Sequence, residues 1–211
     1  AIMGVVFMIE ACIKRYPGLA VCKGDMEKAV EIIIACYENK GKLLICGNGG
    51  SSADSEHIVG ALMKGFLKKR PISETQRTQM VSNFQPVAGL LNKLQVGLPA
   101  IPLPALTGLN SAYCNDVDPE MVYAQSVLAL ARPEDVFLGI STSGNSKNVV
   151  NAAMVARSLN LAVITLTGES GGALRELSDV CIRVPASETY QVQELHLPVY
   201  HALCASVEAH F

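Results

Sequence analysis

Short, almost wholly apolar runs alternate along this chain with longer stretches in which apolar residues recur every three or four positions. The short runs are Lys42 to Cys46, Val136 to Ile140, Leu161 to Leu166 and Val180 to Val184. Their length and continuous apolar character predict strands buried on both faces. The longer stretches predict helices over Val5 to Tyr16, Asp25 to Asn39, Ser52 to Phe66, Asp118 to Leu130, Ser146 to Asn160, Ala173 to Ser178 and Glu188 to Phe211. In the second of these, Met26, Ala29, Val30, Ile33, Ile34 and Tyr37 form one apolar stripe, and Gly41 follows as a stop. Asp118 with Pro119 after it reads as an N-cap and first helical position. Ala100 to Leu106 is a further strand candidate, in spite of Pro102 and Pro104. Strands that alternate with helices predict an α/β domain, a parallel sheet between two layers of helices.

Residues 67–99 interrupt this order. Pro71 breaks the pattern, Ser73 to Gln85 is polar, and Pro86 to Leu98 suggests a short helix. So long an excursion reads as a lid, an interface arm or a flexible insertion. The whole of 1–211 is read as one domain, with residues 1–40 forming N-terminal helices.

Composition narrows the picture. Charged residues make up 17% of the chain and hydrophobic ones 50%. So little charge suggests that some apolar surface is hidden by self-association through the N-terminal helices. The net charge of -2 and the single basic cluster, Lys68-Lys69-Arg70, offer no track for a nucleic-acid backbone. Seven cysteines without a CxxC pair fit a reducing cytoplasm, with Cys36, Cys46, Cys181 and Cys204 as buried small hydrophobes. The apolar start, Ala1 to Met8, is too short to span a bilayer and lacks the basic region of a leader, so it reads as the beginning of a packing helix or, before Met8, as a remnant of expression.

Two loops carry the chemistry. Gly47-Asn48-Gly49-Gly50-Ser51-Ser52 follows the first strand, and Ser141-Thr142-Ser143-Gly144-Asn145-Ser146 follows the third. Each opens a helix. Glycines let the backbone approach a ligand, N–H groups point outward and the helix dipole favours an anion. The hydroxyls of Ser141, Thr142, Ser143 and Ser146 suit a phosphate monoester. No lysine stands in the Walker arrangement and no GxGxxG is present, so no nucleotide cofactor is expected.

Among four histidines, His57 lies one turn into the helix after the first loop. His201 shares a slanting stripe of the final helix with Gln193 and Leu197. Glu194 lies within about 20° of His201 on the same count, where a buried carboxylate could hold its tautomer. His196 and His210 read as structural.

The segments CGNGGSSAD with His57, ISTSGNSKNV, LTG with the following GG, and QELHLPVYHAL resemble the sugar isomerase (SIS) domain family, and within it the phosphoheptose isomerase branch. The resemblance runs from about Asp25 to Phe211. It implies a three-layer αβα SIS fold, a homo-oligomer with a tetramer preferred, and interconversion of sedoheptulose 7-phosphate and glycero-manno-heptose 7-phosphate. It implies that Ser141, Thr142, Ser143 and Ser146 hold phosphate and that Asn48, Gly49, Gly50 and Ser51 contact sugar. Asn115 and Asp116 match a pair near the sugar hydroxyls. His57, Gln193 and His201 match residues that surround the reacting carbons and bind zinc in some members.

One position departs from the pattern. The family usually places a glutamate four residues after the first histidine, and here Ala61 stands there. Glu56 is about 140° away around the helix and points elsewhere, though it and Glu194 are the other carboxylates that could serve as base. Isomerisation needs a base near neutrality and an acid at the oxygen. Ala61 therefore marks an engineered change, a natural branch with altered chemistry, or a protein that binds phosphosugars without converting them. A related branch that binds the bacterial replication initiator also lacks this glutamate. Loss of the carboxylate also predicts weakened zinc affinity.

Overall fold

Side chains along a strand alternate between the faces of a sheet, so a sheet buried on both sides needs two separate cores. The computed structural model, which describes residues 2–211 with side chains from Phe7 onward, has both. Strands β1 (Leu43–Cys46), β2 (Ala100–Pro102), β3 (Val136–Ile140), β4 (Ala162–Thr167) and β5 (Val180–Arg183) form one parallel sheet in the order β2-β1-β3-β4-β5. Leu43, Ile45, Leu138, Ile164 and Ile182 face one core with helices α1 (Ile2–Arg15), α2 (Lys23–Glu38), α3 (Gly50–Leu62) and α9 (Thr189–His210). Leu44, Cys46, Phe137 and Val163 face the other, against α6 (Val122–Leu130) and α7 (Lys147–Ser158). The expected three-layer αβα arrangement is the one observed.

Strand order fixes where a ligand can sit. After β1 the chain crosses to β2 at one edge, and after β3 it crosses to β4 on the other side. The carboxyl ends of β1 and β3, which are neighbours with Leu43 opposite Val136, therefore open a crevice at the topological switch point. The two Ser/Gly loops emerge there.

Several expected elements take a different form. The polar stretch before Phe84 is a helix, α4 (Glu74–Asn83), because Ser73 and Gln76 form a reciprocal capping box. The short helix expected over Pro86 to Leu98 is instead two 3-10 turns, Gln85–Gly89 and Leu91–Lys93. The strand expected over Ala100 to Leu106 ends at Pro102, where a 3-10 turn begins at Leu103. Thr107–Asp116, which has no apolar stripe, forms α5. Asp118 does cap its helix, accepting from the Glu120 N–H at 2.8 Å, but the first turn is 3-10 before α6 begins. The remaining helix, α8, is one turn, Leu174–Leu177. Cys36, Cys46 and Cys204 are buried as expected, whereas Cys181 is half-buried at the sheet edge. Among the described residues no helix is long and apolar enough to cross a membrane.

Candidate functional site

A cleft of about 250 Å³ lies between the two loops, lined by Asn48, Gly49, Gly50, Ser51, Ile140, Ser141, Thr142, Ser146, Thr189 and Gln193. The helices α3 and α7 both begin at it, so two positive dipole ends converge on one space, although the Ser51 and Ser52 N–H groups already donate to the Asn48 and Gly49 carbonyls. Hydroxyls of Ser51, Ser141, Thr142, Ser146 and Thr189 add donors. The wall of this cleft has the chemistry of an anion site and contains no lysine or arginine.

The loops hold their shape through local bonds. Ser146 stands at the N-cap of α7, yet its hydroxyl does not cap the helix; it lies 2.9 Å from Ser141 Oγ, so the two serines orient each other. Gly144 has φ of +69°, and a Cβ there would lie 2.0 Å from the carbonyl oxygen of Gly171. The LTG and GG segments thus form the backing of the phosphate loop. Leu174 donates its N–H to the Gly144 carbonyl and Ala173 donates to Asn145 Oδ1. In the first loop Gly49 takes φ of +55°, and Gly50 lies so close to Gln193 that a Cβ would meet its Nε2 at 2.8 Å. Asn48 is fixed by paired amide bonds to Asn148 and by Tyr123, whose hydroxyl lies 3.2 Å from Asn48 Oδ1.

A second centre lies farther along α3 and α9. The Nε2 atoms of His57 and His201 are 3.3 Å apart. Behind them, the Tyr200 hydroxyl lies 3.2 Å from His57 Nδ1 and donates to Asp54 Oδ1 at 2.9 Å. Burial, then the charges of His57 and Arg15, lower the His201 pKa and so favour its neutral imidazole. Burial raises the Asp54 pKa against the opposing effects of the Tyr200 bond and His57. Phe66 packs on His201, 5.6 Å between ring centres. Its loop is latched by Glu208, whose carboxylate accepts the N–H groups of Phe66, Leu67 and Lys68 and faces Arg70.

The predicted residues divide accordingly. Asn48, Gly49, Gly50, Ser51, Ser141, Thr142, Ser146 and Gln193 come together in the cleft, and His57 and His201 come together beyond it. Ser143 turns away from the cleft lining, its hydroxyl accepting from the Asn145 N–H. Asn115 and Asp116 are exposed at the end of α5, bonded to each other at 2.8 Å. Glu194 is exposed and is not the partner of His201; that partner is His57. The helical angle was right, but seven residues along a helix separate the two by about 10 Å. Ala61 is buried one turn after His57. His196, wholly buried, donates from Nε2 to the Thr167 carbonyl, and His210 pairs with Glu38 at 2.8 Å, so both are structural as expected. Asp54 and Tyr200 were missed; the signal was Asp54 one turn before His57 and Tyr200 adjacent to His201.

A crevice at the switch point, a hydroxyl-lined anion cradle and a facing histidine pair define a class of sugar-phosphate proteins. The chain belongs to the SIS domain family, whose models match residues 20–88 and 110–209. Relatives within that family include phosphoheptose isomerases. The one from Helicobacter pylori strain P12 is 37% identical over 186 residues, 88% of this chain and 84% of that protein. The structure of the Neisseria gonorrhoeae phosphoheptose isomerase superposes with a TM-score of 0.69 at 31% identity, covering 94% of this chain and 97% of that one. That of Francisella tularensis gives 0.75 at 30% identity, covering 94% and 93%.

Proposed function

We propose that the protein is a ketose-aldose isomerase of sedoheptulose 7-phosphate, forming glycero-manno-heptose 7-phosphate, with its proton-transfer step slowed by Ala61. The observation that carries this reading is the spacing of the two centres. His57 stands seven residues after Gly50 on α3, a rise of about 10 Å. An extended seven-carbon chain with its phosphate ester also spans roughly 10 Å, at about 1.2 Å per bond along the chain. A phosphate in the cleft would thus leave C1 and C2 beside the histidine pair.

The reaction moves a proton between those carbons through an enediol. In this reading the cleft supplies binding energy from the unreactive end of the sugar, and the imidazoles of His57 and His201 serve the proton transfers. A third group, the carboxylate that would share the work, is replaced by the methyl of Ala61. That substitution favours a second reading, in which the chain binds the phosphosugar without turning it over. Both readings predict tight binding of sedoheptulose 7-phosphate and none of sedoheptulose by calorimetry. Thr142→Val should weaken binding about 10- to 100-fold, the cost of a hydrogen bond to a charged group. Equal affinity for the two sugars would remove the phosphate assignment. The aldose product, followed by chromatography, separates the first reading from the second.

A zinc ion suits the histidine pair in part. With Zn–N bonds of about 2.0–2.1 Å, two nitrogens of a tetrahedral site lie about 3.3–3.4 Å apart, which matches the observed separation. Among the described residues no group of three or more His, Cys, Asp or Glu gathers as a ligand set would. His57 and His201 would hold the ion, and zinc would polarise the sugar carbonyl; Gln193, eight residues before His201 on α9, lines the cleft instead.

The same reading includes self-association, with a tetramer preferred. Its support is an open groove of about 750 Å³ between α1, Phe66, Leu67 and α9, with His201 in its wall and Phe7 exposed at its edge. Sedimentation at micromolar concentration should show an oligomer, and a monomer would contradict it. The cytoplasm is the expected compartment.

A further inference from the structure

His57 is held from behind by a group that the isomerase reading does not use. Tyr200 precedes His201 on α9, and its ring is buried between the two imidazoles and the core, 5.4 Å from His57 and 5.1 Å from His201 between centroids. Its hydroxyl makes two contacts, Asp54 Oδ1 at 2.9 Å and His57 Nδ1 at 3.2 Å. Asp54 and His57 are neighbours one turn apart on α3, and Tyr200 reaches them from α9.

Proton counting fixes the direction of these bonds. A phenol has one proton to give, and an ionised carboxylate has none. The Tyr200 proton therefore lies toward Asp54. The contact with His57 must then use a proton of the imidazole, which puts that proton on Nδ1. Nε2 is left with a bare lone pair, and Nε2 is the atom that faces His201 at 3.3 Å. Which ring nitrogen is free is set by the bond that the other one makes.

We propose that Tyr200, anchored by Asp54, is a positioning residue that holds His57 in its Nδ1-protonated tautomer and so presents the Nε2 lone pair to the space shared with His201. A base or a metal donor at Nε2 needs this tautomer. The inference rests on the isomerase reading only for its kinetic consequence, since the tautomer exists whether or not sugar is turned over.

The test is a long-range proton–nitrogen correlation spectrum of the full chain labelled with nitrogen-15 histidine, above the pH range where imidazole protonates. His57→Gln assigns the signals. The unsubstituted protein should show a pyrrole-like Nδ1 and a pyridine-like Nε2 for His57. Tyr200→Phe keeps the ring but removes the hydroxyl, and should release His57 to a mixture of tautomers. Asp54→Ala should do something packing loss alone would not. It frees the phenol proton to turn toward His57 Nδ1, so the tautomer should invert to Nε2-protonated. Thermal unfolding of each variant confirms that it is folded. In an Ala61→Glu background, Tyr200→Phe should also lower kcat by about 10- to 100-fold with little change in KM, the usual effect of losing a partner behind a functional histidine. An Nε2-protonated His57 in the unsubstituted protein overturns the proposal. So does one tautomer common to all three proteins.

Discussion

Gly144→Ala tests whether the phosphate loop is shaped by the glycine pair behind it. Two costs can be worked out. Gly144 has φ of +69°, a left-handed conformation that costs an L-residue roughly 1–2 kcal/mol. The added Cβ would lie 2.0 Å from the Gly171 carbonyl oxygen and 2.4 Å from its carbon. Both are backbone atoms, so no side chain can rotate away, and overpacking adds about 1–3 kcal/mol. The total is roughly 2–5 kcal/mol. For a chain of this size each kcal/mol lowers Tm by about 2–4 °C, so a fall of roughly 4–20 °C is expected. Relief requires the loop to shift, which moves Thr142 and Ser146 and should abolish measurable sugar-phosphate binding. Calorimetric unfolding and titration with sedoheptulose 7-phosphate read the two effects. Gly24→Ala is the control, because it lies in α2 with nothing within 4 Å of its added Cβ, and it should leave both unchanged or raise Tm slightly. A Gly144→Ala protein with unchanged Tm and full affinity would refute the reasoning.

Three further outcomes follow from the buried polar groups. Burial pushes the His196 pKa down to about 4, against a usual 6.5, with the Thr167 carbonyl opposing the shift only in part. The folded protein resists protonation at His196 while the unfolded chain accepts it, so this stability is intact above about pH 6.5 and is lost as pH falls toward 4. The loss is roughly 3 kcal/mol, and urea unfolding from neutral to acid pH should show it; His196→Gln should flatten that slope. Glu208→Ala strands the Arg70 guanidinium, buried with it, and leaves three N–H groups without an acceptor. It should cost about 3–5 kcal/mol by denaturant titration, and a cost below about 1 kcal/mol would show the latch to be incidental. Purified protein should carry less than one zinc per chain by elemental analysis, and Ala61→Glu should carry more; a full complement in the unsubstituted protein would show that the donors present suffice.

The fold was legible wherever burial imposed a period. The strand at Val136 to Ile140 has the predicted bounds because five consecutive buried residues leave no alternative. The helix α4 was not legible as one because none of its residues is buried, so it has no apolar stripe; its Ser73–Gln76 capping box was the available signal. The run at Ala100 stops early because each proline lacks the N–H that would continue a ladder. At the site, loop composition sufficed to gather Ser51, Ser141, Thr142 and Ser146, since each is fixed by its own strand and helix. Angle counting failed for Glu194, because it fixes direction around a helix but not distance along it. The Asp54–Tyr200–His57 bonds join α3 to α9 across 143 to 146 residues of sequence, a pairing no local pattern specifies.

The central claim is that this site binds a seven-carbon sugar phosphate and that Ala61 limits its conversion. The direct measurement is isomerisation of sedoheptulose 7-phosphate by the unsubstituted protein and by Ala61→Glu, assayed side by side. The carboxylate would sit about 40° around α3 from His57 and one turn along, in a buried position that raises its pKa toward neutrality. It should raise kcat by roughly 10²–10⁴ and leave KM nearly unchanged, because it acts in the transition state. Full turnover by the alanine form, unaltered by the glutamate, would contradict the role given to residue 61; failure of both proteins to bind or convert the sugar would contradict the function itself.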